Sequence, residues 1–378
     1  PQDGRFNIRV RGRSIDVRVS TLPVQYGESV VMRLLDQSEG ILDLESTGMP
    51  PDILKRFRRL IHRPYGMILV TGPTGSGKTT TLYGALTELN KPEVKVITAE
   101  DPVEYRLPRI TQVQVNSRIG LDFASVLRSA LRQDPDIILV GEMRDQETVE
   151  IGLRAAMTGH LVLSTLHTND AISSAMRLLD MGAEPFLVSS SISGVLAQRL
   201  VRKVCDNCKA PYTPSRSERI WLDSIRGTIG GAALAQPDAG PSGEETAEPE
   251  SGEAVGGDES LDLSLSDEIL DTAAPETPSE PEPAGGFVRG KGCYQCGNTG
   301  YRGRIGVHEL LEMDDSMLDA LRRADYAGFE RAARASAGYE SLDRCALRYA
   351  EQGITTLEEV ARVSATLSGT VSDDKGEV

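Results

Sequence analysis

Short runs of apolar residues, one of them interrupted by Lys95, alternate with helical patterns through the middle of the chain. They cover residues 67–70, 94–97, 137–140 and 161–163. Apolar runs of this length are typical of parallel strands buried on both faces of a sheet. With the helical patterns between them, they predict an α/β domain over residues 52–200.

A different pattern precedes this domain. Apolar and polar residues alternate at positions 6–10 and 15–19, and a third strand-like run covers 29–35. We therefore expect a small β-rich domain at 1–40, followed by a linker at 41–51 where the chain is polar and contains Gly and Pro.

Polar residues or glycine follow each of the four apolar runs at once, at 71–72, 98–101, 141–142 and 164–167. Ligands bind open parallel sheets at the carboxyl ends of their strands. The four segments are therefore expected to meet at one site.

Helical periodicity returns near the end of the chain and predicts a C-terminal helical region with a flexible tail at 313–378. No apolar run approaches the roughly 18 residues of a membrane helix, and the first residues do not resemble a signal segment, so we expect a cytoplasmic protein. Because the chain begins at Pro1 and the strand pattern follows within a few residues, we also expect a fragment that lacks its N-terminal part.

The net charge of −15 is concentrated in one stretch. Residues 227–286 contain fifteen Asp and Glu and no Lys or Arg, which leaves 41 acidic and 41 basic residues elsewhere. This stretch is rich in Gly, Pro and Ser and has no aromatic residue, so we expect it to be disordered. Its alternating Leu261, Leu263 and Leu265 suit either a short docking motif or, as we prefer, a solvated tail. The rest of the chain is neutral and lacks the overall excess of basic residues that is typical of nucleic-acid-binding proteins. A neutral total does not exclude local basic patches.

One segment carries a specific chemical signature between a predicted strand and a predicted helix. It matches the phosphate-binding loop (P-loop) pattern, in which glycines let backbone N–H groups surround phosphates. Lys78 would reach the β and γ phosphates of ATP, and Thr79 would coordinate Mg²⁺. The alternative is a glycine-rich turn with a surface lysine. The segment is Gly72, Pro73, Thr74, Gly75, Ser76, Gly77, Lys78 and Thr79, followed by Thr80.

Three further segments indicate which family of P-loop proteins the chain resembles. They are ITAEDPVEY at 97–105, LRQDPD to GEMRD at 131–145, and TGH to TLHTND at 158–170. From about Arg5 to Leu367, apart from the acidic stretch, the chain resembles the ATPases of type II secretion and type IV pilus assembly. The resemblance implies an α/β fold with a RecA-like P-loop NTPase core, a small N-terminal α+β (PAS-like) domain, an inserted zinc subdomain and a C-terminal helical region.

The same resemblance implies a function. It points to a homo-hexamer that hydrolyses ATP on the cytoplasmic face of the inner membrane. Such a motor would act on an inner-membrane platform protein to assemble a pseudopilus or pilus, and no direct nucleic-acid partner is expected.

Two glutamates end predicted strands near the expected γ-phosphate. One of Glu100 and Glu142 would orient or deprotonate the attacking water and the other would hold Mg²⁺ through water, and the sequence leaves the division open. In the family, Glu142 matches the Walker B glutamate and Glu100 the acidic-box glutamate. A strand-end cap or salt bridge is the plain alternative. The segment that contains His160 and His167 matches a motif of the family called the histidine box. This match favours His167 as a γ-phosphate sensor, whereas His160 suits a sensor and a structural residue equally well.

Two arginine pairs are candidates for stabilising the charge of phosphoryl transfer. Arg18 and Arg33 match family arginines that reach the nucleotide. Such contact would require the N-terminal sheet to close over the P-loop domain. This closure is a candidate power stroke. Arg128 and Arg132 lie four apart, on one side of a predicted helix. Ordinary surface ion pairs are the alternative for both pairs.

Four cysteines form two Cys-x-x-Cys pairs, at Cys205 and Cys208 and at Cys293 and Cys296. This is the spacing of a four-thiolate Zn²⁺ site, and it predicts a zinc subdomain at 201–312 that contains the acidic stretch. Cys345, in a helical pattern, is expected to be a buried apolar residue. In the family, assembly and secretion motors generally carry the four cysteines and retraction motors generally lack them.

Two other functions are compatible with the sequence. One is a nucleic-acid-stimulated P-loop motor or zinc-dependent nucleic-acid-binding module, because related folds move DNA. The other is a retraction motor. The sequence does not separate a secretion system from a pilus.

Overall fold

The computed structural model describes residues 1–36, 43–226 and 286–367. The expected disordered stretch, with its alternating leucines, therefore lies almost entirely outside the described residues. The chain divides into two units, residues 1–214 with 285–378 and residues 215–284. In the second unit the structure describes helix α7 (Arg216–Arg226).

The N-terminal residues form an antiparallel sheet of three strands, β1 (Gln2–Val10), β2 (Arg13–Val24) and β3 (Gly27–Asp36). Side chains alternate between the two faces of such a sheet. One face is apolar, with Phe6 opposite Val17 on β2. The other face is largely polar, and on it Arg18 of β2 lies opposite Arg33 of β3.

The central sheet has seven strands in the order β12-β9-β4-β8-β7-β5-β6. Neighbouring strands are parallel, except that β12 is antiparallel to β9. The four apolar runs coincide with or overlap β4, β5, β7 and β8, so the predicted parallel sheet is confirmed. The strands are β4 (Gly66–Thr71), β5 (Val96–Glu100), β6 (Thr111–Gln114), β7 (Ile137–Val140), β8 (Leu161–Leu166), β9 (Ile192–Val204) and β12 (Tyr301–Glu312), and a separate pair consists of β10 (Lys209–Pro211) and β11 (Val288–Gly290).

Helices connect these strands and cover the sheet. Helix α1 buries Ile53, Phe57, Leu60 and Ile61, positions that fall on one side of a helix. Aspartate side chains cap the first turns of α3, α4 and α5 by accepting backbone N–H groups. The helices are α1 (Pro51–Ile61), α2 (Lys78–Leu89), α3 (Phe123–Ala130), α4 (Gln146–Met157), α5 (Ala171–Asp180), α6 (Pro185–Ser191), α8 (Asp315–Arg322), α9 (Tyr326–Ala335), α10 (Leu342–Glu351) and α11 (Leu357–Leu367).

The prediction that Arg128 and Arg132 share one helix is wrong. Helix α3 ends at Ala130, and the chain continues in a tight turn in which Arg132 N donates to Ser129 O. Pro135 disfavours helical backbone in the residue before it, and Asp134 has a φ of 52°, so the helix cannot continue. Arg132 instead folds back and donates from Nη1 to Arg128 O at 2.9 Å.

The range assigned to the zinc subdomain includes a strand of the central sheet. Residues 301–312 form β12, which pairs along its length with β9. The domain limits themselves stay a prediction. Cys345 lies buried on α10, as expected. Among the described helices, none is both long enough and apolar enough to cross a bilayer.

Candidate functional site

The P-loop joins the end of β4 to the start of α2. Three of its glycines have positive φ, at 148° for Gly72, 79° for Gly75 and 91° for Gly77. Residues with a Cβ rarely adopt this backbone. A Cβ at Gly72 would also collide with the backbone oxygen of Gln198 on β9. The loop therefore requires glycine where its backbone curls toward the space above the sheet.

Lys78 begins α2 and folds back over the loop. Its Nζ donates to Gly72 O at 2.7 Å and to Pro73 O at 3.1 Å. Burial lowers the pKa of Lys78 to about 8; the nearby Glu142 opposes this shift and Arg199 adds to it. The charge of this ammonium is therefore sensitive to what occupies the space beside it.

A cavity of about 850 Å³ lies at the carboxyl ends of the strands. Its wall includes the P-loop from Thr74 through Thr79 and Thr80, and the side chains from the other strand ends. The convergence expected from the sequence is confirmed, because one cavity is lined by Lys78, Glu100, Glu142 and His167. Arg33 of the N-terminal sheet lines the same cavity.

Glu100 ends β5 and is 4% exposed. Its Oε2 accepts the hydroxyl of Tyr83, and its Oε1 accepts the hydroxyl of Thr98 and, at 3.1 Å, Nε2 of Gln112. Three donors from three different elements thus hold the carboxylate in one orientation.

Glu142 follows β7 and is more open, with 18% of its side chain exposed. Its Oε1 is paired with Arg144, and its Oε2 lies 3.6 Å from Nε2 of His167. Burial, followed by the Lys78 ammonium, lowers the pKa of His167, so its imidazole is neutral at neutral pH. A neutral imidazole has one N–H to donate, and its neighbour Glu142 can accept it.

The two arginines of the N-terminal sheet are placed differently. Arg33 lines the cavity, whereas Arg18 is held outside it by Glu104, at 2.5 and 3.4 Å between guanidinium and carboxylate. Glu104 belongs to the segment that follows Glu100. The ion pair therefore connects the N-terminal sheet to the rim of the cavity.

The other arginine pair and His160 lie elsewhere. Arg128 is paired with Glu147 at the surface, and neither it nor Arg132 is among the residues that line the cavity. His160 contacts the backbone of the preceding helix, with Nδ1 3.0 Å from Ala155 O. These residues are not brought to the cavity within this chain.

The residues present fit a magnesium nucleotide. The hydroxyl of Ser76 is buried in the P-loop without a hydrogen-bond partner, which is costly unless a ligand supplies one. Thr79 and Glu142 line the cavity and offer oxygen atoms, the donors that Mg²⁺ prefers. The loop backbone, Lys78 and Arg33 offer donors and positive charge to phosphates.

Four residues of the site were missed in the sequence. Tyr83 and Gln112 hold Glu100, Gln198 contacts the P-loop, and Arg304 of β12 lines the cavity. The motif segments contain none of them. Arg304 also follows the acidic stretch, far from the P-loop along the chain.

The four cysteines meet in one cluster, and all their sulfur atoms lie within 4.8 Å of one another. Three sulfur pairs are 3.7 to 3.9 Å apart. Tetrahedral zinc with four thiolates at about 2.3 Å requires about 3.8 Å between sulfurs. Backbone N–H groups of Cys293 and Gly300 point at Cys296 Sγ at 3.2 and 3.3 Å, as expected around thiolate ligands. The cluster fits zinc.

We expect the purified chain to contain one zinc ion, and we expect Cys293→Ser to lose it and to unfold at a lower temperature. A serine hydroxyl is a poor ligand for Zn²⁺, and binding energies of structural zinc, about 10 kcal/mol or more, contribute directly to folding. Elemental analysis and thermal melts measure both effects. Cys345→Ala is the matched control and should retain zinc. A wild-type chain that binds no zinc at any loading would contradict the assignment.

Comparisons with known proteins identify relatives of this chain. The chain is 45% identical over 365 residues to the type II secretion system ATPase E of Vibrio cholerae, covering 96% of this chain and 61% of the relative. It is 44% identical over 364 residues to the type II secretion system protein HxcR of Pseudomonas aeruginosa, covering 96% and 62%. The chain thus spans about three fifths of the length of the curated relatives it matches.

Solved structures share the fold. The pilus retraction motor PilT with bound ADP has a TM-score of 0.59 at 26% identity, covering 100% of this chain and 79% of that one. The ATPase DotB of Legionella pneumophila has a TM-score of 0.60 at 20% identity, covering 97% and 77%. A model of the family described as type II/IV secretion system protein matches residues 1–362. This chain belongs to the type II/IV secretion system protein family.

Proposed function

We propose that the chain is the ATP-hydrolysing part of a motor for type II secretion pseudopilus or type IV pilus assembly. The observation that carries the proposal is the single cavity in which the P-loop meets Glu100, Glu142 and His167. The name of the Vibrio cholerae relative, which is called an ATPase, and the ADP bound to PilT support ATP as the substrate, and the secretion names of both relatives support the secretion role. No observation favours the nucleic-acid alternative.

The site suggests a division of labour between the two glutamates. Glu100 is held by three donors, and such a fixed carboxylate is suited to orient and deprotonate the attacking water. Glu142 is more open and lies beside His167, so we assign it, with Thr79, to the metal. Mg²⁺, when bound, would neutralise charge on the β and γ phosphates. When the nucleotide is bound, the neutral His167 would turn its one N–H from Glu142 to the γ-phosphate.

The N-terminal sheet is proposed to close over the nucleotide. Arg33 already lines the cavity, whereas Arg18 must leave Glu104 before its guanidinium can contact a phosphate. Exchange of a carboxylate for a phosphate is chemically plausible because arginine binds both in the same two-pronged way. Arg128 and Arg132 lie at the surface, and from there they would act on a nucleotide of a neighbouring subunit.

The partners of the chain are proposed from the family to which it belongs. We propose a homo-hexamer that works on an inner-membrane platform protein, at the cytoplasmic face of the membrane. The cysteine cluster is proposed to hold structural zinc, and it favours an assembly or secretion motor over a retraction motor.

Steady-state hydrolysis tests the proposed function. We expect the wild-type chain to release phosphate from ATP in a Mg²⁺-dependent reaction that added DNA or RNA does not accelerate. Isothermal titration with MgADP provides an independent measure of the site. A chain that neither binds MgADP nor hydrolyses ATP would contradict the proposal, and strong stimulation by nucleic acid would favour the alternative function.

Tyr83→Phe is expected to lower kcat about tenfold, because the lost hydrogen bond, worth about 1–2 kcal/mol, frees the Glu100 carboxylate to rotate. Affinity for MgADP should not change, since Glu100 would act on water and not on the diphosphate. Tyr65→Phe, at an exposed tyrosine, is the matched control. Unchanged turnover in Tyr83→Phe would show that this hydroxyl does not orient Glu100.

A further inference from the structure

Gln198 lies behind the P-loop, on β9, and is 2% exposed. The residue before it, Ala197, pairs with Thr71 at the end of β4, so Gln198 is level with the first residue of the loop. Its side chain spans the loop and the following helix. Nε2 donates to Ser76 O at 2.8 Å, and Oε1 accepts the hydroxyl of Thr81 at 2.9 Å.

The hydrogen bond to Ser76 O fixes the orientation of the whole peptide between Ser76 and Gly77. In a trans peptide the C=O and the following N–H point in opposite directions. Because the Ser76 carbonyl points at Gln198, the N–H of Gly77 must point away from Gln198. Gly77 also lines the cavity. An N–H that points away from Gln198 can therefore face the space where phosphates would bind.

The peptide between Ser76 and Gly77 would otherwise rotate easily. Gly77 has a φ of 91°, and glycine occupies both halves of the backbone map at similar cost. A rotated peptide would present the Ser76 carbonyl to the phosphates and repel them. The amide of Gln198 opposes this rotation, and the Thr81 hydroxyl keeps the amide in its orientation.

We propose that Gln198 is a positioning residue for nucleotide binding, which acts by holding the Ser76–Gly77 peptide with its N–H toward the phosphates. The proposal rests on the proposed nucleotide site and adds to it a residue from outside the P-loop. It predicts a graded effect. Methionine at this position has similar size and no hydrogen bond, whereas glutamate would repel the Ser76 carbonyl and accept the N–H of the rotated peptide.

The measurement is the Kd for MgADP, by isothermal titration on the full chain. We expect Gln198→Met to weaken binding about tenfold, and Gln198→Glu to weaken it about tenfold further, as loss and then reversal of one buried hydrogen bond imply. The KM for ATP should rise in parallel while kcat changes less than the KM, because the loop contacts phosphates in the ground and transition states alike. Thr81→Val, which leaves the bond to Ser76, should have a smaller effect than either.

The outcomes are separable. If the wild-type chain binds no MgADP, the proposed nucleotide site itself fails. If the wild type binds and both folded variants bind equally well, the role of Gln198 is wrong while the nucleotide site stands. A purely structural role would lower the melting temperature without the graded change in Kd. Should neither variant fold, a structure of the wild-type MgADP complex decides, and a Ser76 carbonyl turned away from Gln198 would overturn the proposal.

Discussion

Replacing Lys78 with alanine is expected to abolish ATP hydrolysis, with a loss of about a thousandfold or more at saturating ATP. The Lys78 ammonium is bonded to Gly72 O and Pro73 O of the loop, and its partial burial makes its charge effective. Removal of one such group that faces developing charge costs about 10² to 10³ in turnover, and Lys78 would also contribute to binding.

The control for this variant is Lys55→Ala, which removes an exposed lysine from α1. Circular dichroism should show both variants folded, and Lys55→Ala should hydrolyse ATP as the wild type does. Turnover within tenfold of wild type in Lys78→Ala would contradict the P-loop assignment.

Glu142→Gln is expected to lower kcat by about two to three orders of magnitude while MgADP still binds. Glutamine preserves the shape of the side chain but removes the negative charge proposed to hold the metal. Because Glu142 also faces His167 and Arg144, the variant leaves the neutral imidazole and the guanidinium without their carboxylate.

Glu330→Gln is the matched control, since Glu330 pairs with Arg334 on the surface of α9. If hydrolysis requires Glu142, single-turnover phosphate release should be lost in Glu142→Gln and kept in Glu330→Gln. Retained turnover in Glu142→Gln would remove this residue from the reaction.

The strands that build the site could be predicted because their signals are local. Each of the four central runs is apolar, except for Lys95 in the second, and is followed by polar residues or glycine, which marks a buried parallel strand and its functional end. The same rule predicted that Glu100, Glu142 and His167 would meet Lys78, since carboxyl ends of parallel strands share one edge. The spacing of the four cysteines likewise predicts a zinc site without further information.

Residues that support the site could not be predicted because their roles depend on distant contacts. Gln198 reaches Ser76 from 122 positions away, and it stands in a strand with no recognised motif. Tyr83 has helical spacing and resembles a core residue until its hydroxyl is found on Glu100. Such bonds form only when strand order places the elements side by side.

The end of helix α3 could not be predicted from the spacing of apolar residues either. The apolar positions after Phe123 continue past Ala130, so periodicity extended α3 to include Arg132. Backbone constraints near Pro135 determine the actual end, and they act against periodicity. Arg128 and Arg132 consequently do not share one helical face.

One magnesium nucleotide is expected to bind between Lys78 of the P-loop and the strand-end side chains of Glu100, Glu142 and His167. A crystal structure of the chain with Mg²⁺ and a non-hydrolysable ATP analogue is the decisive measurement. We expect phosphates on the P-loop with Lys78 at the β and γ positions, the metal beside Thr79 and Glu142, and His167 and Glu100 facing the γ-phosphate. A nucleotide bound elsewhere, or bound with these carboxylates far from its γ-phosphate, would contradict it.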